Sequence, residues 1–317
     1  MLGRSLRARS LATLGPFIAL LLACVVFSTQ SPRFLASENF ALILQQVMVV
    51  GVLAIGQTLV ILTAGIDLSC GLVMALGAVV MTKLAAASGW PPMAAMSAGI
   101  GVTAAVGLIN GLLVTRVKLP PFIVTLGTMN IAFAATQLLS RSQSVTDVPP
   151  LMTWLGTTIR VGNAPVTYGV VLMLGLYVLA WLWLRETAAG RHVYAVGNHR
   201  EAARLAGIST DRVVVGVYAV AGVCYGLAAL LSVARTGVGD PQAGQTENLD
   251  TVTAVVLGGT SLFGGRGLVL GTLVGALIVG VFRNGLTLMG VSSIYQVLVT
   301  GVLVIVAVAL DQWSRQP

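Results

Sequence analysis

Residues 185–212 read RETAAGRHVYAVGNHREAARLAGISTDR and lie between two long hydrophobic halves of the chain. The segment holds five arginines, both histidines and three acidic residues. Asn198 is a typical N-cap residue, and Glu201 follows at the spacing from which its side chain reaches back to the cap. Gly207 suits the left-handed position that ends many helices. We therefore predict a capped helix over residues 199–206, which is too short to be stable in water unless it rests on other protein.

The composition of the chain outside this segment is typical of a membrane protein. Of 317 residues, 56% are hydrophobic and 9% are charged, whereas soluble domains carry about 25% charged residues. Apolar runs of about 18 or more residues recur, which predicts an all-α polytopic membrane protein rather than a β-barrel. We expect a single transmembrane domain over residues 1–317 with ten spans near residues 12–29, 40–62, 68–88, 93–115, 121–140, 165–184, 213–235, 249–263, 267–288 and 293–310.

The two ends of this span series need a separate interpretation. The N-terminus is basic and runs into an apolar segment, as a signal peptide does, but no small-residue cleavage site follows. We interpret residues 12–29 as an uncleaved first span. The eighth segment, residues 249–263, is too short for a full span and is expected to be a broken or re-entrant helix.

The distribution of positive charge predicts the orientation. With a cytoplasmic N-terminus and ten crossings, 12 of the 18 basic residues fall inside; these are Arg4, Arg7, Arg9, Arg116, Lys118, Arg185, Arg191, Arg200, Arg204, Arg212, Arg266 and Arg315. The other six lie outside or near outer helix ends: Arg33, Lys83, Arg141, Arg160, Arg235 and Arg283. This bias favours both termini inside and places residues 185–212 in the cytoplasm. Because topology explains the net charge of +8, we expect no nucleic-acid partner.

The sequence contains a weak internal repeat. The triplet NGL occurs at residues 110–112 and again at 284–286, each time followed by a turn into another apolar span. On the predicted topology the fourth span runs inward and the ninth runs outward. Such a pair suggests an inverted repeat, a common plan of transporters; the alternative is chance recurrence of a short word.

Asp67 is one of very few acidic residues embedded in apolar sequence. It lies in residues 56–71, GQTLVILTAGIDLSCG, and a charge at mid-membrane needs a partner or water. Thr63 and Ser69 add hydroxyl groups beside it. The pattern predicts a helix break in which Asp67 caps the next helix through the N–H groups of Ser69 and Cys70. We favour this structural interpretation; the alternative is a gate or pathway element.

Residues 254–267, AVVLGGTSLFGGRG, are rich in glycine but contain no phosphate-binding loop of the form GxxxxGK[ST]. Neither lysine of the chain, Lys83 or Lys118, follows a glycine. We therefore expect no ATPase activity from this chain alone, no cofactor, and a tight turn between closely packed helices. The cysteines lie in apolar runs without the spacing of a metal site or disulfide framework: Cys24, Cys70 and Cys224.

Four stretches resemble the membrane permease subunit of bacterial ribose-type ABC importers. They are residues 58–71 (TLVILTAGIDLSCG), 190–208 (GRHVYAVGNHREAARLAGI), 254–267 and 271–296 (GTLVGALIVGVFRNGLTLMGVSSIYQ). They occur in the family's order, and the resemblance covers about residues 40–311. It implies a pair of permeases in the bacterial inner membrane, most simply a homodimer. It also implies an ATPase subunit with two nucleotide-binding halves beneath them and an extracytoplasmic sugar-binding protein above.

The family's ATPase-docking signature is matched at residues 201–207, where Glu201-Ala202-Ala203 and Gly207 fit the pattern EAAxxxG. The resemblance implies that the short helix couples the permease to the ATPase. The residues assigned to coupling are Asn198, Glu201, Ala202, Ala203, Arg204 and Gly207. Two departures from the family pattern are Ala64, where glycine is frequent, and Cys70, where valine is usual.

The expected function is that of a non-enzymatic permease subunit importing a sugar or polyol across the cytoplasmic membrane. The alternative in the same class is an importer of an amino acid or nucleoside. An ion-coupled transporter would need acidic or histidine relays within its spans, and both histidines lie in residues 185–212. A passive channel leaves the capped cytoplasmic helix without a role. The sequence leaves open which sugar is carried.

We expect the transport pathway along the seam between two permeases, where hydroxyl and amide groups exchange hydrogen bonds with a neutral sugar. The alternative for each group is a hydrogen bond to the carbonyl of the preceding helical turn. The candidate pathway or gate residues are Thr63, Asp67, Ser69, Thr125, Asn130, Thr260 and Ser261.

Overall fold

The computed structural model describes residues 2–313, so the topological assignment of Arg315 lies outside the described residues. The described chain is a bundle of α-helices with one small β-hairpin. The helices are α1 Leu2–Gln30, α2 Ser37–Leu62, α3 Cys70–Ala86, α4 Pro92–Thr115, α5 Pro121–Ser140, α6 Pro150–Thr153, α7 Tyr168–Glu186, α8 Ala188–Asn198, α9 Arg200–Leu205, α10 Thr210–Thr236, α11 Glu247–Leu257, α12 Val269–Leu288 and α13 Ser293–Trp313.

A helix lies at each of the ten predicted hydrophobic segments. Six of the described helices, α2, α4, α5, α7, α10 and α12, are long and apolar enough to cross a membrane. The apolar parts of α1, α3 and α13 are shorter. The eighth segment forms only the 11 residues of α11, and its shortness agrees with the prediction of a broken helix.

The span expected at residues 165–184 begins later than predicted, because the connection between α5 and α7 is longer. Residues 154–156 form a 3₁₀ turn, followed by strands β1 Thr158–Val161 and β2 Ala164–Thr167. The strands pair antiparallel with Thr158 opposite Thr167. Because β2 continues to Thr167, α7 begins at Tyr168 rather than at residue 165.

The centre of the bundle is formed by α2 and α10, which pack against each other and carry much of the buried core. From Val47 to Leu62 every residue of α2 is buried. The buried tyrosines of α10 include Tyr218 and Tyr225. A helix that is apolar on all sides is a core element, and the remaining long helices surround this pair.

The helices around the centre fall into two sets that pack in the same way. In the first set, α3 packs on α4 and α5, and α4 packs on α10. In the second, α11 packs on α12 and α13, and α12 packs on α2. Each set thus consists of one central helix followed by three helices, α2 to α5 and α10 to α13.

The connections gather at two opposite ends of the bundle. At one end, which we call the α9 end, residues 63–69 and 258–268 meet α8. The Gly265 N–H donates to the Leu62 carbonyl at 3.0 Å, and Gly197 of α8 packs against both of these groups. At the other, the hairpin end, β1 and β2 lie with residues 141–147 and 237–246. There Val145 and Gly239 form a two-way backbone bridge at 2.9 Å.

The outer faces of several helices remain apolar and exposed. On α5, Ile131 and Leu138 are 70% and 80% exposed, and on α13 Ile294 and Ile305 are 78% and 71% exposed. Large exposed apolar faces mark contact with lipid or with another protein. The fold therefore presents α5 and α13 to its surroundings while it keeps α2 and α10 inside.

Candidate functional site

The short helix α9 is capped at its N-terminus by His199, not by Asn198 as the sequence suggested. The Ala202 N–H donates to His199 Nδ1 at 3.1 Å, and His199 has the extended backbone of an N-cap. Asn198 is instead the last residue of α8. The prediction was wrong by one residue because α8 occupies the chain up to Asn198.

Gly207 follows the C-cap residue Ala206 of α9 and takes the left-handed position that ends the helix, as predicted. Gly207 has a φ of +85°, in the left-handed region that favours glycine. The Gly207 N–H donates to the Arg204 carbonyl, and the Ile208 N–H donates to the Ala203 carbonyl, both at 3.0 Å. This pair of bonds is a Schellman motif, which satisfies carbonyls left free at the helix end.

The side chains of α9 divide into an inner and an outer face. Ala203, one of the residues assigned to coupling, is 5% exposed and faces the protein, so it is not part of the outer face. Leu205 is 84% exposed, and Ala202 and Ala206 are also exposed. Glu201 pairs with Arg204 at 2.9 Å in the open rather than reaching back to a cap. The outer face is thus a small apolar patch beside an ion pair.

The helix α8, which the sequence analysis missed, supports α9 from behind. The Thr187 hydroxyl caps it by accepting from the Gly190 N–H at 3.0 Å, and this Thr187 cap was the signal available in the sequence. The Tyr194 hydroxyl donates to the Gly267 carbonyl at 3.0 Å, and burial raises the pKa of Tyr194. At Gly197, an added Cβ would lie 1.7 Å from the Leu62 carbonyl oxygen. The α8 helix is therefore locked to the α9 end of the bundle.

The predicted helix break between α2 and α3 is present, and Asp67 lies within it. Asp67 is fully buried. Its Oδ1 accepts from the Ser69 N–H at 2.8 Å and from the Ser69 hydroxyl at 2.5 Å. Its Oδ2 accepts from the Tyr225 hydroxyl of α10 at 3.2 Å. The carboxylate caps the break through Ser69 as predicted, whereas the hydroxyl of Tyr225 takes the part assigned to the Cys70 N–H.

A polar network continues from this break to the neighbouring helices. Asn110 of α4 donates to the Ser69 hydroxyl at 3.3 Å and accepts from Thr128 of α5 at 2.6 Å. The Thr125 hydroxyl lies within hydrogen-bond distance of two carbonyls, that of Pro121 one turn before it at 3.0 Å and that of Ile66 in the break at 3.1 Å. Buried side chains thus hold α3, α4 and α5 to the break at the α9 end.

The structure brings only some of the candidate pathway residues together. Thr63, Asp67, Ser69 and Thr125 lie around the break. Asn130 is exposed on α5 and donates to the Leu126 carbonyl at 3.1 Å. Two members lie in the connection between α11 and α12, and both are buried: Thr260 and Ser261.

The break between α10 and α11 meets the break between α2 and α3 by direct backbone contact. An added Cβ at Gly71 would lie 2.2 Å from the Gly244 carbonyl oxygen, and one at Gly244 would lie 2.0 Å from the Gly71 carbonyl oxygen. The Gly71 N–H donates to Asn248 Oδ1 at 2.5 Å. The sequence gives no direct signal that these glycines touch, because they are far apart in the chain.

Beside the break at the α9 end lies a cavity of about 300 Å³. We call it the α9-end cavity. Its wall includes Thr63 from the break, Val114 of α4, Pro121 of α5 and Tyr218 of α10. The Tyr218 hydroxyl is buried and has no hydrogen-bond partner within the described residues. Because α8 and His199 complete the wall, the cavity connects the bundle to the α9 support.

A second cavity of about 270 Å³ lies at the hairpin end, and the sequence analysis did not find it. We call it the hairpin-end cavity. Its polar lining comes from four helices: Gln46 of α2, Arg235 of α10, Arg283 and Thr287 of α12, and Gln296 of α13. Of these residues, the sequence analysis placed only Arg235 and Arg283, outside or near outer helix ends. The packing of α12 against α2 and α13 brings the set to one place.

Next to the hairpin-end cavity is a largely buried ion pair. Asp250 of α11 is 1% exposed and contacts Arg283 at 2.5 Å. A buried carboxylate of this kind is stable only with a close partner, because removing charge from water is costly. The pair therefore fixes the position of the Arg283 guanidinium at the wall of the cavity.

Comparison with known proteins decides the family. A family model described as branched-chain amino acid transport system / permease component matches residues 39–308. The chain belongs to this permease family.

Relatives of the permease include several sugar import proteins. The fructose import permease protein of Rhizobium meliloti is 47% identical over 95% of this chain and 85% of its own length. The ribose import permease protein of Bacillus subtilis (strain 168) is 40% identical over 94% of this chain and 92% of its own length. The D-allose transport system permease protein of Escherichia coli (strain K12) is 36% identical over 94% of this chain and 91% of its own length.

Family membership and the six long apolar helices make the permease a multi-pass protein of the bacterial inner membrane. Its family consists of transport subunits rather than enzymes. Among the described residues, no group of three or more His, Cys, Asp or Glu side chains is arranged to bind a metal ion. The α9 face, the α9-end cavity and the hairpin-end cavity are the candidate functional features of the permease.

Proposed function

We propose that the chain is the permease subunit of an ATP-driven, binding-protein-dependent importer of a monosaccharide or polyol. The observation that carries this proposal is the identity of 36–47% to fructose, ribose and allose permeases over nearly the whole chain. Membership of the family implies an ATPase subunit, here one with two nucleotide-binding halves, and an extracytoplasmic binding protein as partners. These relatives do not favour an amino acid or nucleoside as the substrate, despite the wording of the family description.

The proposed topology has ten membrane segments with both termini in the cytoplasm. The bias of basic residues supports it, and so does the gathering of connections at two ends. Residues 63–69, 185–212 and 258–268, which the topology assigns to one side, meet at the α9 end. We accordingly take the α9 end as cytoplasmic and the hairpin end as extracytoplasmic.

The proposed architecture is an inverted repeat of α2 to α5 with α10 to α13. The two sets pack in corresponding ways, each with a helix break after its central helix. The repeated asparagines also have corresponding roles. Asn110 bonds Ser69 and Thr128, and Asn284 exchanges two bonds with Asn39, at 2.9 and 3.0 Å. Both are buried and join their helix to a neighbour.

The proposed coupling element is α9 on its α8 support. ATP binding and hydrolysis on the partner can shift the permease between two states only if the partner binds those states differently. A rigid element that protrudes from the bundle transmits such a difference. Leu205, Ala202 and Ala206 offer apolar surface to a groove, and the Glu201–Arg204 pair beside them supports register through charge contacts.

The proposed assembly is a homodimer with the pathway along the permease–permease seam. The exposed apolar faces of α5 and α13 supply surface for such a seam. Thr63 and Asn130 are the candidate lining residues that remain at least partly exposed in one permease. Ser69, Thr125, Thr260 and Ser261 are buried within the chain, so for them a pathway role requires a change of conformation.

The experiment that tests this proposal is reconstitution of the permease with its ATPase and binding protein in proteoliposomes. We expect ATP-dependent uptake of D-fructose, D-ribose or D-allose, and no uptake when either partner is omitted. Uptake of a branched-chain amino acid instead of any sugar would overturn the substrate class.

The coupling role of α9 has its own variant. Leu205→Arg places a charge on the exposed face without disturbing the core, so we expect a stable permease that fails to recover the ATPase in a pull-down. The buried Ala203 is unsuitable because a large side chain there disrupts packing against the bundle. Val161→Arg on the exposed strand β1, at the hairpin end, is the control for a new surface charge. Normal ATPase recovery with Leu205→Arg would contradict the docking role.

A further inference from the structure

The hairpin-end cavity combines polar groups from four helices of the membrane domain. We propose that it is a binding site for a neutral polyhydroxyl ligand, which the permease takes up at this end before the ligand moves inward. This inference rests on the proposed function, because it names the place where the imported monosaccharide first contacts the permease.

Two glutamine side chains supply both donors and acceptors. Gln296 donates through Nε2 to the Thr287 hydroxyl and to the Val291 carbonyl, each at 3.1 Å, which fixes the direction of its amide. Its amide oxygen stays available as an acceptor. Gln46 is half-buried and makes no hydrogen bond to another described residue. The Thr287 hydroxyl already donates to the Arg283 carbonyl at 2.8 Å and accepts from Gln296. A sugar hydroxyl both donates and accepts, so the amide of Gln46 and the amide oxygen of Gln296 match its chemistry.

The ion pair beside the cavity favours a neutral over an anionic ligand. Arg283 is paired with Asp250 at 2.5 Å. Because Asp250 already supplies the counter-charge of Arg283, this guanidinium does not need an anionic ligand. The guanidinium N–H groups still serve as hydrogen-bond donors to neutral oxygen atoms.

The remaining wall is apolar and closely packed. It is formed by small aliphatic residues of α2 and α12, namely Val47, Val50, Ala276, Val279 and Gly280. Ligand sites of this kind combine an apolar lining with a few polar groups that fix orientation. The C–H faces of a sugar ring suit this wall while the hydroxyl groups meet the amides. Gln46 lies nine residues into α2, so the cavity reaches about 13 Å from the start of that helix.

The position at helix ends gives the cavity access to the hairpin end. Arg235 lies at the end of α10, Thr287 at the end of α12 and Gln296 in the first turn of α13. The deep wall is provided by Gln46. A ligand released at this end therefore meets the guanidinium and amide groups before it meets the buried middle of α2.

The test uses two variants of similar size in the reconstituted complex with ATPase and binding protein. Gln46→Leu and Gln296→Leu remove the amides. We expect each to lower uptake of D-fructose or D-ribose about tenfold, the effect of one or two lost hydrogen bonds. ATP hydrolysis without binding protein and recovery of the complex should stay at the wild-type level. Gln45→Leu is the matched control, because Gln45 is the adjacent glutamine and does not line the cavity.

The outcomes separate this inference from the proposed function. Wild-type uptake that Gln46→Leu and Gln296→Leu leave unchanged overturns the cavity site and leaves the importer assignment intact. The absence of uptake of any sugar by the wild-type complex overturns both.

A second readout does not depend on how well the leucine variants fold. Gln296→Cys is introduced with Cys24→Ala, while Cys70 and Cys224 are kept because they are buried. We expect the transported sugar to slow the reaction of this thiol with a hydrophilic maleimide severalfold, and glycine betaine at equal concentration, which has no hydroxyl group, to have no effect. An equal labelling rate with and without the transported sugar overturns the site.

Discussion

The two helix breaks of the molecule each contain a buried carboxylate, but the two carboxylates have different partners. Asp67, between α2 and α3, is bonded only to neutral groups, the N–H and hydroxyl of Ser69 and the hydroxyl of Tyr225. Asp250, after the break between α10 and α11, is paired with the guanidinium of Arg283. Both carboxylates are almost completely buried, at 0% and 1% exposure.

The difference shows that a buried carboxylate near a helix break has a different role at each of the two breaks. At the first break, hydrogen bonds from neutral groups join α3 to α10 in a closed junction. At the second, an ion pair places a charged group at the wall of the hairpin-end cavity, where water or a ligand can reach it. Buried ion pairs contribute little net stability. We therefore infer that the role of the Asp250–Arg283 pair is to supply a polar group at the wall of the cavity.

The largest effect is expected where the two breaks touch. Gly71→Val places a branched side chain at a Cβ position 2.2 Å from the Gly244 carbonyl oxygen, and backbone cannot yield as a flexible side chain does. We expect no monodisperse permease in size-exclusion chromatography after detergent extraction. Gly101→Val is the control, since nothing lies within 4 Å of its Cβ position. Recovery of Gly71→Val at the level of Gly101→Val would show that the breaks do not meet.

The next effect is at the ion pair. Asp250→Asn leaves the Arg283 guanidinium without its counter-charge, and we expect a loss of about 3 kcal/mol of stability, measured as a lower thermal-unfolding temperature in detergent. The double variant Asp250→Asn/Arg283→Met should recover stability because it removes both charges, yet it should still impair uptake. A double variant no more stable than Asp250→Asn would contradict the pairing.

A smaller effect is expected at Asp67. Asp67→Asn keeps an amide oxygen for Ser69 and places an N–H₂ group beside the Tyr225 hydroxyl, which accepts as well as donates. We expect a loss of about 1 kcal/mol, and the same thermal assay compares it directly with Asp250→Asn. Tyr225→Phe, which removes one bond at the same site, provides a reference of similar size. An Asp67→Asn loss as large as that of Asp250→Asn would erase the distinction between the two breaks.

The smallest effect is expected at the exposed pair of α9. Glu201→Gln removes a salt bridge whose side chains are about two-thirds exposed. Such pairs contribute about 0–1 kcal/mol, so the unfolding temperature of the permease should not change measurably. ATPase recovery should fall modestly at low salt. The difference between the variant and the wild type should shrink at high salt, because charge contacts at the edge of an interface are screened. A clear loss of permease stability would show that the pair is structural.

Much of this fold follows from hydropathy, because long apolar segments in a membrane have few alternatives to helix. The left-handed Gly207 and the break at Asp67 were also predictable, since each depends on residues adjacent in the chain. The hairpin was missed because its stability comes from the packing of β2 on α2 rather than from a strong local pattern. The helix α8 was missed although the Thr187 cap marks its start.

The parts of the site that could not be predicted depend on distant residues. Ala203 looked available for docking, but the fold buries it against the protein. The hairpin-end cavity joins Gln46 to Gln296, and no local pattern connects these positions. Gln46 and Gln45 are indistinguishable as sequence, and only the rotation of α2 places one of them in the cavity.

The central claim is that ATP acting at the α9 end and a sugar entering at the hairpin end are coupled through one bundle. The most direct measurement is the maleimide reactivity of Gln296→Cys and Thr63→Cys, each with Cys24→Ala, in the assembled complex with and without vanadate-trapped nucleotide. Gln296 lines the hairpin-end cavity and Thr63 lines the α9-end cavity. The account predicts that trapping changes the two rates in opposite directions. Rates that rise or fall together, or that do not respond to nucleotide, would contradict it.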